Sequence, residues 1–240
     1  MQILIHDPPP EKKQTEGMKN ALHVWTEIPA QTKSDPRVKA DETVISDSER
    51  ERAERFHFEA DYLAYVAAHA LLRSALSLFS PVPPQDWRFE RGPHGRPFVA
   101  REMNPTDIRF NISHTRTLVA CAVARGFDCG IDVETIGRSR DPLSLAKYNF
   151  AHSEYRALKA LRGAALDEHF TALWCLKEAY LKAEGVGLTA PLNRISFDID
   201  STPDGSIGYH LRDTDDQPAW RFRLFRPTKT HFGALAFKAR

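Results

Sequence analysis

Two long stretches of helical periodicity, each set among short strand-like segments, limit most strongly what this chain folds into. From Asp61 onward Leu63, Val66, Ala67, Ala70, Leu71 and Ala75 recur at the spacing of one helix face. The run reaches Phe79 and stops at Pro81, Pro83 and Pro84, because proline lacks an amide hydrogen and restricts the residue before it. A second long helix is predicted over Asp167–Glu184, with Gly185 placed to take the left-handed conformation that closes a helix. Ala21–Glu27 reads as a strand before the first helix, and Trp87–Glu90, Pro97–Ala100, Ile108–Ile112 and Leu118–Ala124 as strands after it. Cys129–Glu134 stands in the same way before the second helix, and Arg194–Asp200, Ile207–Arg212, Trp220–Phe225 and Phe232–Phe237 follow it. The order therefore predicts an α+β fold of two halves of similar plan, 21–126 and 127–240, after a tail over 1–20 expected to be disordered. No repeat is visible residue by residue.

Smaller signals fill in the plan. Pro29–Asp47 reads as a polar linker, and Ser48-Glu49-Arg50-Glu51 has the form of a capping box opening a helix. Asp141-Pro142 pairs an N-cap with a proline at the first helical position, and Ser153-x-x-Arg156 opens another short helix. With 240 residues and 42% hydrophobic content the chain can bury one sizeable core or two smaller ones. Its 33 Lys and Arg against 32 Asp and Glu leave no global field for nucleic acid or an anionic membrane, so any anion site is local. Cys121, Cys129 and Cys175 lack paired metal spacing and read as buried, reduced thiols. No run approaches the roughly 20 apolar residues of a membrane span, and Met1–Asn20 lacks the apolar stretch of a secretory signal. A soluble cytoplasmic protein is expected.

Three groups of residues have the chemistry for a site. In Gly130-Ile131-Asp132-Val133-Glu134 the strand period sends Ile131 and Val133 to one face and two carboxylates to the other. Two like charges so close are unfavourable unless solvated, protonated or shared by a cation, and Mg²⁺ suits such a pair. Alone, the segment reads more simply as a strand with a polar outer face. In Trp174-Cys175-Leu176-Lys177-Glu178-Ala179-Tyr180-Leu181-Lys182, Glu178 and Lys182 share a helix face. They make either a surface ion pair or a third metal ligand or base beside a phosphate-binding cation. Phe110-Asn111-Ile112-Ser113-His114-Thr115 ends a strand with a hydroxyl and an imidazole that can donate to phosphate oxygens; Ser113 lacks the Gly-x-Ser-x-Gly elbow of a hydrolase. Gly92-Pro93-His94-Gly95-Arg96-Pro97 is a turn carrying a cation, and Arg50, Arg52 and Arg55 are diluted by Glu49, Glu51 and Glu54. No Walker loop, dinucleotide fingerprint or zinc spacing is present.

Taken together these segments resemble the surfactin-synthetase-activating (Sfp-like) 4′-phosphopantetheinyl transferases. The likeness runs from about Ala21 onward: His23-Val24-Trp25, Gly95-Arg96-Pro97, Phe110–Thr115, Gly130–Glu134, Trp174-x-x-Lys177-Glu178-Ala179-x-x-Lys182, and Gly185-x-Gly187-Leu188. It implies a monomer of two α+β halves about a pseudo-twofold axis, with coenzyme A bound in the cleft between them. It implies transfer of the phosphopantetheine arm to a serine of an apo carrier protein. By resemblance Asp132, Glu134 and Glu178 hold Mg²⁺, with Mn²⁺ as an alternative, and Glu178 and Lys182 act in catalysis. Lys182 and His114 would meet the phosphates of coenzyme A with Ser113 nearby, Arg96 and Pro97 would border the adenine, and Arg52 and Arg55 would lie near the 3′-phosphate. The chain departs from the family at Ala64, where an arginine for the 3′-phosphate is usual; His57, Arg55 or Arg73 are the candidate substitutes.

Overall fold

In the computed structural model, which describes residues 2–6, 21–92, 94–186, 190–201, 207–212 and 220–238, the chain divides into two units, Met1–Cys129 and Gly130–Arg240. The first begins with a correction. Ile3-Leu4-Ile5, assigned above to a disordered tail, lies in a strand, Gln2–His6 (β1), paired parallel with Ala21–Glu27 (β2). Three consecutive large apolar side chains suit an added edge strand better than a solvated tail. The rest of that tail, 7–20, lies outside the described residues.

The supposed linker also contains a helix, Pro36–Val44 (α1), capped by Asp35 and started by Pro36; only Val38 is buried, so it shows no apolar stripe in sequence. The capping box forms two residues earlier than expected. Ser46 accepts from the amide of Glu49 at 3.3 Å, and Glu49 Oε2 accepts from the Ser46 amide at 2.7 Å, opening Asp47–Ala53 (α2). The long helix follows as Glu59–Leu76 (α3), and a 3₁₀ turn at Pro84–Asp86 leads to the hairpin Phe89–Arg91 (β3) and Pro97–Val99 (β4). Ile108–His114 (β5) and Val119–Arg125 (β6) complete a sheet ordered β1-β2-β6-β5. Both partners of β6 are antiparallel to it. One side of α3 packs Ala64, Ala67, Ala68, Leu71 and Leu72 against Trp25, Val119, Cys121 and Val123. Its other side meets α1 and α2 through Tyr62, Tyr65, Val66 and Ala70.

The second unit repeats this plan. It runs through Cys129–Thr135 (β7), Pro142–Asn149 (α4), His152–Lys159 (α5) and the long Gly163–Glu184 (α6). A 3₁₀ turn at Leu192–Arg194 then leads to the hairpin Phe197–Ser201 (β8) and Ile207–Leu211 (β9), and finally to Trp220–Thr228 (β10) and His231–Lys238 (β11). The sheet order β10-β11-β7 matches β5-β6-β2. Gly185 closes α6 at φ 72°, as its sequence position predicts; Gly187 and Leu188 lie outside the described residues.

The likeness extends to single residues. In the first unit Glu49, the third residue of α2, accepts from Arg73 of α3 at 2.8 Å, and Arg73 also donates to the carbonyls of Pro84 and Trp87 at 3.0 Å each. In the second, Glu154 of α5 meets Lys177 of α6 at 2.8 Å. Lys177 also donates to Leu192 O at 3.0 Å and to Ile195 O. Each acid also caps its own helix, and each cation ties the long helix to the 3₁₀ turn behind it. This is the repeat that residue-by-residue reading misses, because acid and cation differ in kind and lie far apart in sequence.

Candidate functional site

The second unit gathers the charges. On β7, Ile131 and Val133 are buried on one face of the pleat, while Gly130, Asp132 and Glu134 take the other. A Cβ on Gly130 would meet Ala179 O at 2.1 Å and Ala183 N at 2.5 Å, so only glycine lets the strand lie directly on the α6 backbone. That close approach sets Asp132, two residues on, against the polar end of α6. Lys182 Nζ donates to Asp132 Oδ1 at 2.7 Å, and Glu178 lies one helical turn before Lys182.

Asp132 and Glu178 are both buried, at 4% and 6% exposure, which rules out the surface ion pair as a reading of this helix face. Burial pushes the Glu178 carboxyl up to about 7; Asp132 adds to the rise, Lys182 opposes it, and Glu134 adds a smaller share. Glu134 is pushed up as well, first by burial and then by Asp132, with Arg138 opposing. Arg138 Nη1 donates to both Glu134 oxygens, at 2.9 and 3.2 Å. Beside Glu134 opens a pocket of about 220 Å³, walled by Thr135, Arg138, Leu145, Phe170 and Trp174.

Asp132 raises the proton affinity of both Glu134 and Glu178, and the three carboxylates offer the hard oxygen chemistry that Mg²⁺ prefers. The residues fit such an ion in kind. Among the described residues no three His, Cys, Asp or Glu side chains stand together as a finished ligand cage; Lys182 and Arg138 each hold one of the carboxylates instead.

Two relationships were not legible beforehand. Lys177, inside the Trp174–Lys182 segment, points away from the site and is wholly buried against Glu154. Cys175 is buried on the same helix, its thiol donating to Phe232 O at 3.6 Å; burial, then Asp132 and Glu134, push that thiol well up. Its position one turn before Glu178 is the only sequence signal that could have drawn notice.

Comparison with known proteins decides the family. Residues 128–236 match the 4′-phosphopantetheinyl transferase superfamily, and residues 32–125 match the description "4′-phosphopantetheinyl transferase, N-terminal". The 4′-phosphopantetheinyl transferase Sfp of Bacillus subtilis is 34% identical over 175 residues, covering 71% of this chain and 72% of that one. The chain belongs to the 4′-phosphopantetheinyl transferases. The transferase HetI of Nostoc sp. is 29% identical over 234 residues, 98% of this chain and 94% of its own. The human L-aminoadipate-semialdehyde dehydrogenase-phosphopantetheinyl transferase is 27% identical over 237 residues, 93% of this chain and 75% of that one.

For a member of this family the placement of the remaining predicted residues is informative. Arg52 and Arg55 are exposed near the end of α2, with the Arg52 guanidinium 5.7 Å from the Tyr65 ring centre. Arg96 is half-buried beside β4; it donates to Cys129 O at 3.2 Å and lies 3.7 Å from Asp128. Pro97 opens β4, while Pro93 of the same turn lies outside the described residues. Ser113 is buried and His114 exposed at the end of β5. Ala64 packs in the core, and Arg73 is 2% exposed and committed to Glu49, which removes it as a substitute for the missing arginine. His57 is exposed, its ring 4.9 Å from that of Phe58, so it and Arg55 remain.

Proposed function

We propose that this chain moves the 4′-phosphopantetheine group from coenzyme A to a serine of an apo carrier protein, with Mg²⁺ as the metal and adenosine 3′,5′-bisphosphate as the second product. The observation that carries this reading is the pair of buried carboxyls Asp132 and Glu178 with half-buried Lys182 on Asp132 and Glu134 beside them, on the two segments that most resemble the family. Asp132, Glu134 and Glu178 would hold Mg²⁺, which supplies positive charge to the diphosphate when bound. Mn²⁺ has the same preference for oxygen donors.

The chain's own groups suit the remaining work. The serine oxygen forms a bond to the β-phosphorus as the bond from that phosphorus to the departing nucleotide breaks, and the serine proton must go to a base. Glu178, pushed up to about 7, is poised to take it near neutral pH. Lys182 carries a fixed ammonium that offsets charge gathering on the leaving phosphate. Coenzyme A contacts are assigned to Arg52, Arg55, Arg96, Pro97, Ser113, His114 and Lys182, on their resemblance to the family's binding residues. For the carrier, the exposed Leu145 and Tyr148 of α4, with Arg138, Arg140 and Lys147 nearby, offer an apolar and basic surface.

The three free, buried thiols support a reducing cytoplasm as the setting. Among the described residues no helix is long and apolar enough to cross a membrane. Two units of one plan within one chain support action as a monomer. The test is intact-mass analysis of a panel of apo carriers incubated with the protein, coenzyme A and Mg²⁺. A phosphopantetheine added to the carrier serine supports the reading, and coenzyme A binding without transfer to any carrier contradicts it.

A further inference from the structure

Arg138 is assigned above only to the surface offered to the carrier, yet it forms an ion pair with Glu134. Its guanidinium meets both carboxylate oxygens, at 2.9 and 3.2 Å, although its own side chain is 70% exposed and that of Glu134 only 20%. The chain turns at Gly137, whose φ of 74° suits glycine, and so brings residue 138 back over the end of the strand. On Asp132 the same role falls to Lys182. Two cations of this chain thus neutralise the two carboxylates of β7, the charge that one divalent ion carries.

The two cations are not equivalent. Lys182 is anchored on α6 and only 26% exposed, whereas Arg138 reaches in from a turn and has solvent and the pocket walled by Leu145, Phe170 and Trp174 to move into. We infer that Arg138 is a competing counter-ion on Glu134, holding that carboxylate until a divalent cation takes its place and swinging free when it does. The inference rests on Glu134 being a metal ligand. Arg138 would then be a specificity-determining residue for metal affinity. Its release would also add a positive charge to the surface around Leu145 as the metal site fills.

An exposed ion pair of this kind is a weak competitor, equivalent to between about one-and-a-half-fold and fivefold in affinity. The experiment is Mn²⁺ binding to the intact protein, followed by the electron paramagnetic resonance signal of the free ion, with no carrier and no turnover. Arg138→Ala should lower the dissociation constant by that factor. Arg138→Lys, which keeps a charge on the contact, should stay close to wild type, and Arg140→Ala, an exposed cation nearby, should change nothing. In a Glu134→Gln background Arg138→Ala should have no further effect.

Unchanged or weaker binding in Arg138→Ala would overturn the inference, as would an equal gain in Arg140→Ala, which would mean a general field instead of a contact. If Glu134→Gln itself leaves Mn²⁺ binding unaltered, the metal reading of Glu134 fails and the inference falls with it. If Glu134→Gln weakens binding while Arg138→Ala does not strengthen it, only the inference fails.

Discussion

Glu178 should cost the protein stability at neutral pH and above. A buried carboxyl whose proton affinity rises from 4.5 in the unfolded chain to about 7 in the fold binds its proton more tightly when folded. The folded state therefore holds more protons than the unfolded state between those two values, and its stability falls as pH rises through that window. Below about pH 4.5 the carboxyl is protonated in both states and its penalty is absent; above 7 the penalty is complete. At about 1.4 kcal/mol per pH unit the limit is about 3 kcal/mol. Glu178→Gln keeps the shape and removes the charge, but it also gives up the attraction of Lys182, so a gain of about 1–3 kcal/mol at pH 8 is expected. At pH 5 the difference should shrink to less than about 1 kcal/mol. Urea denaturation with a chelator present, repeated from pH 5 to 8, measures the difference directly. Equal stability at every pH, or a variant less stable at pH 8, would refute the claim that burial and the neighbouring carboxylates set the state of Glu178. The proposed Mg²⁺ would bind the ionised carboxylates of the folded protein only, so adding it should restore part of the lost stability at pH 8.

Other substitutions probe the frame that holds the site. Glu154→Ala leaves Lys177 charged in a fully buried position and should cost about 3–5 kcal/mol, whereas replacing both by apolar residues should cost much less; thermal melts of the single and double variants separate the cases. Arg73→Met should likewise loosen the first unit, read as faster exchange of the amides in the 3₁₀ turn behind α3, since Pro84 and Trp87 lose a donor. Gly130→Ala forces a methyl group into the α6 backbone and should cost about 1–3 kcal/mol, with transfer lost more severely than stability because the spacing of Asp132 from Lys182 depends on that contact.

Much of this fold is written in local patterns. The alternation of Gly130–Glu134 appears in the structure with the faces it predicts, and Asp141, Pro142 and Gly185 cap or close their helices where their chemistry says they should. Local patterns also explain the misses. Helix α1 buries only Val38, so no periodicity marked it, and the choice between Ser46 and Ser48 as N-cap turned on Glu49 being needed by Arg73 and His69, one long helix away. The site was legible in its parts: Asp132, Glu134, Glu178 and Lys182 carry the right chemistry at strand and helix spacing. What sequence could not give was distance across elements. That Lys182 would reach Asp132, that Arg138 would fold back on Glu134, and that Lys177 would turn inward to Glu154 all depend on how strand, turn and helix pack.

The central claim is that the carboxylates of β7 and α6 move the phosphopantetheine arm. It is tested most directly by intact-mass measurement of one accepted apo carrier, incubated with coenzyme A and Mg²⁺ and either wild-type protein or folded Asp132→Ala, Glu134→Ala and Glu178→Ala variants. The account predicts conversion of the carrier by wild type and a loss of at least about a hundredfold in rate for Glu178→Ala, the scale of removing a general base, with Asp132→Ala and Glu134→Ala also impaired. Wild-type rates from Asp132→Ala and Glu178→Ala would contradict it.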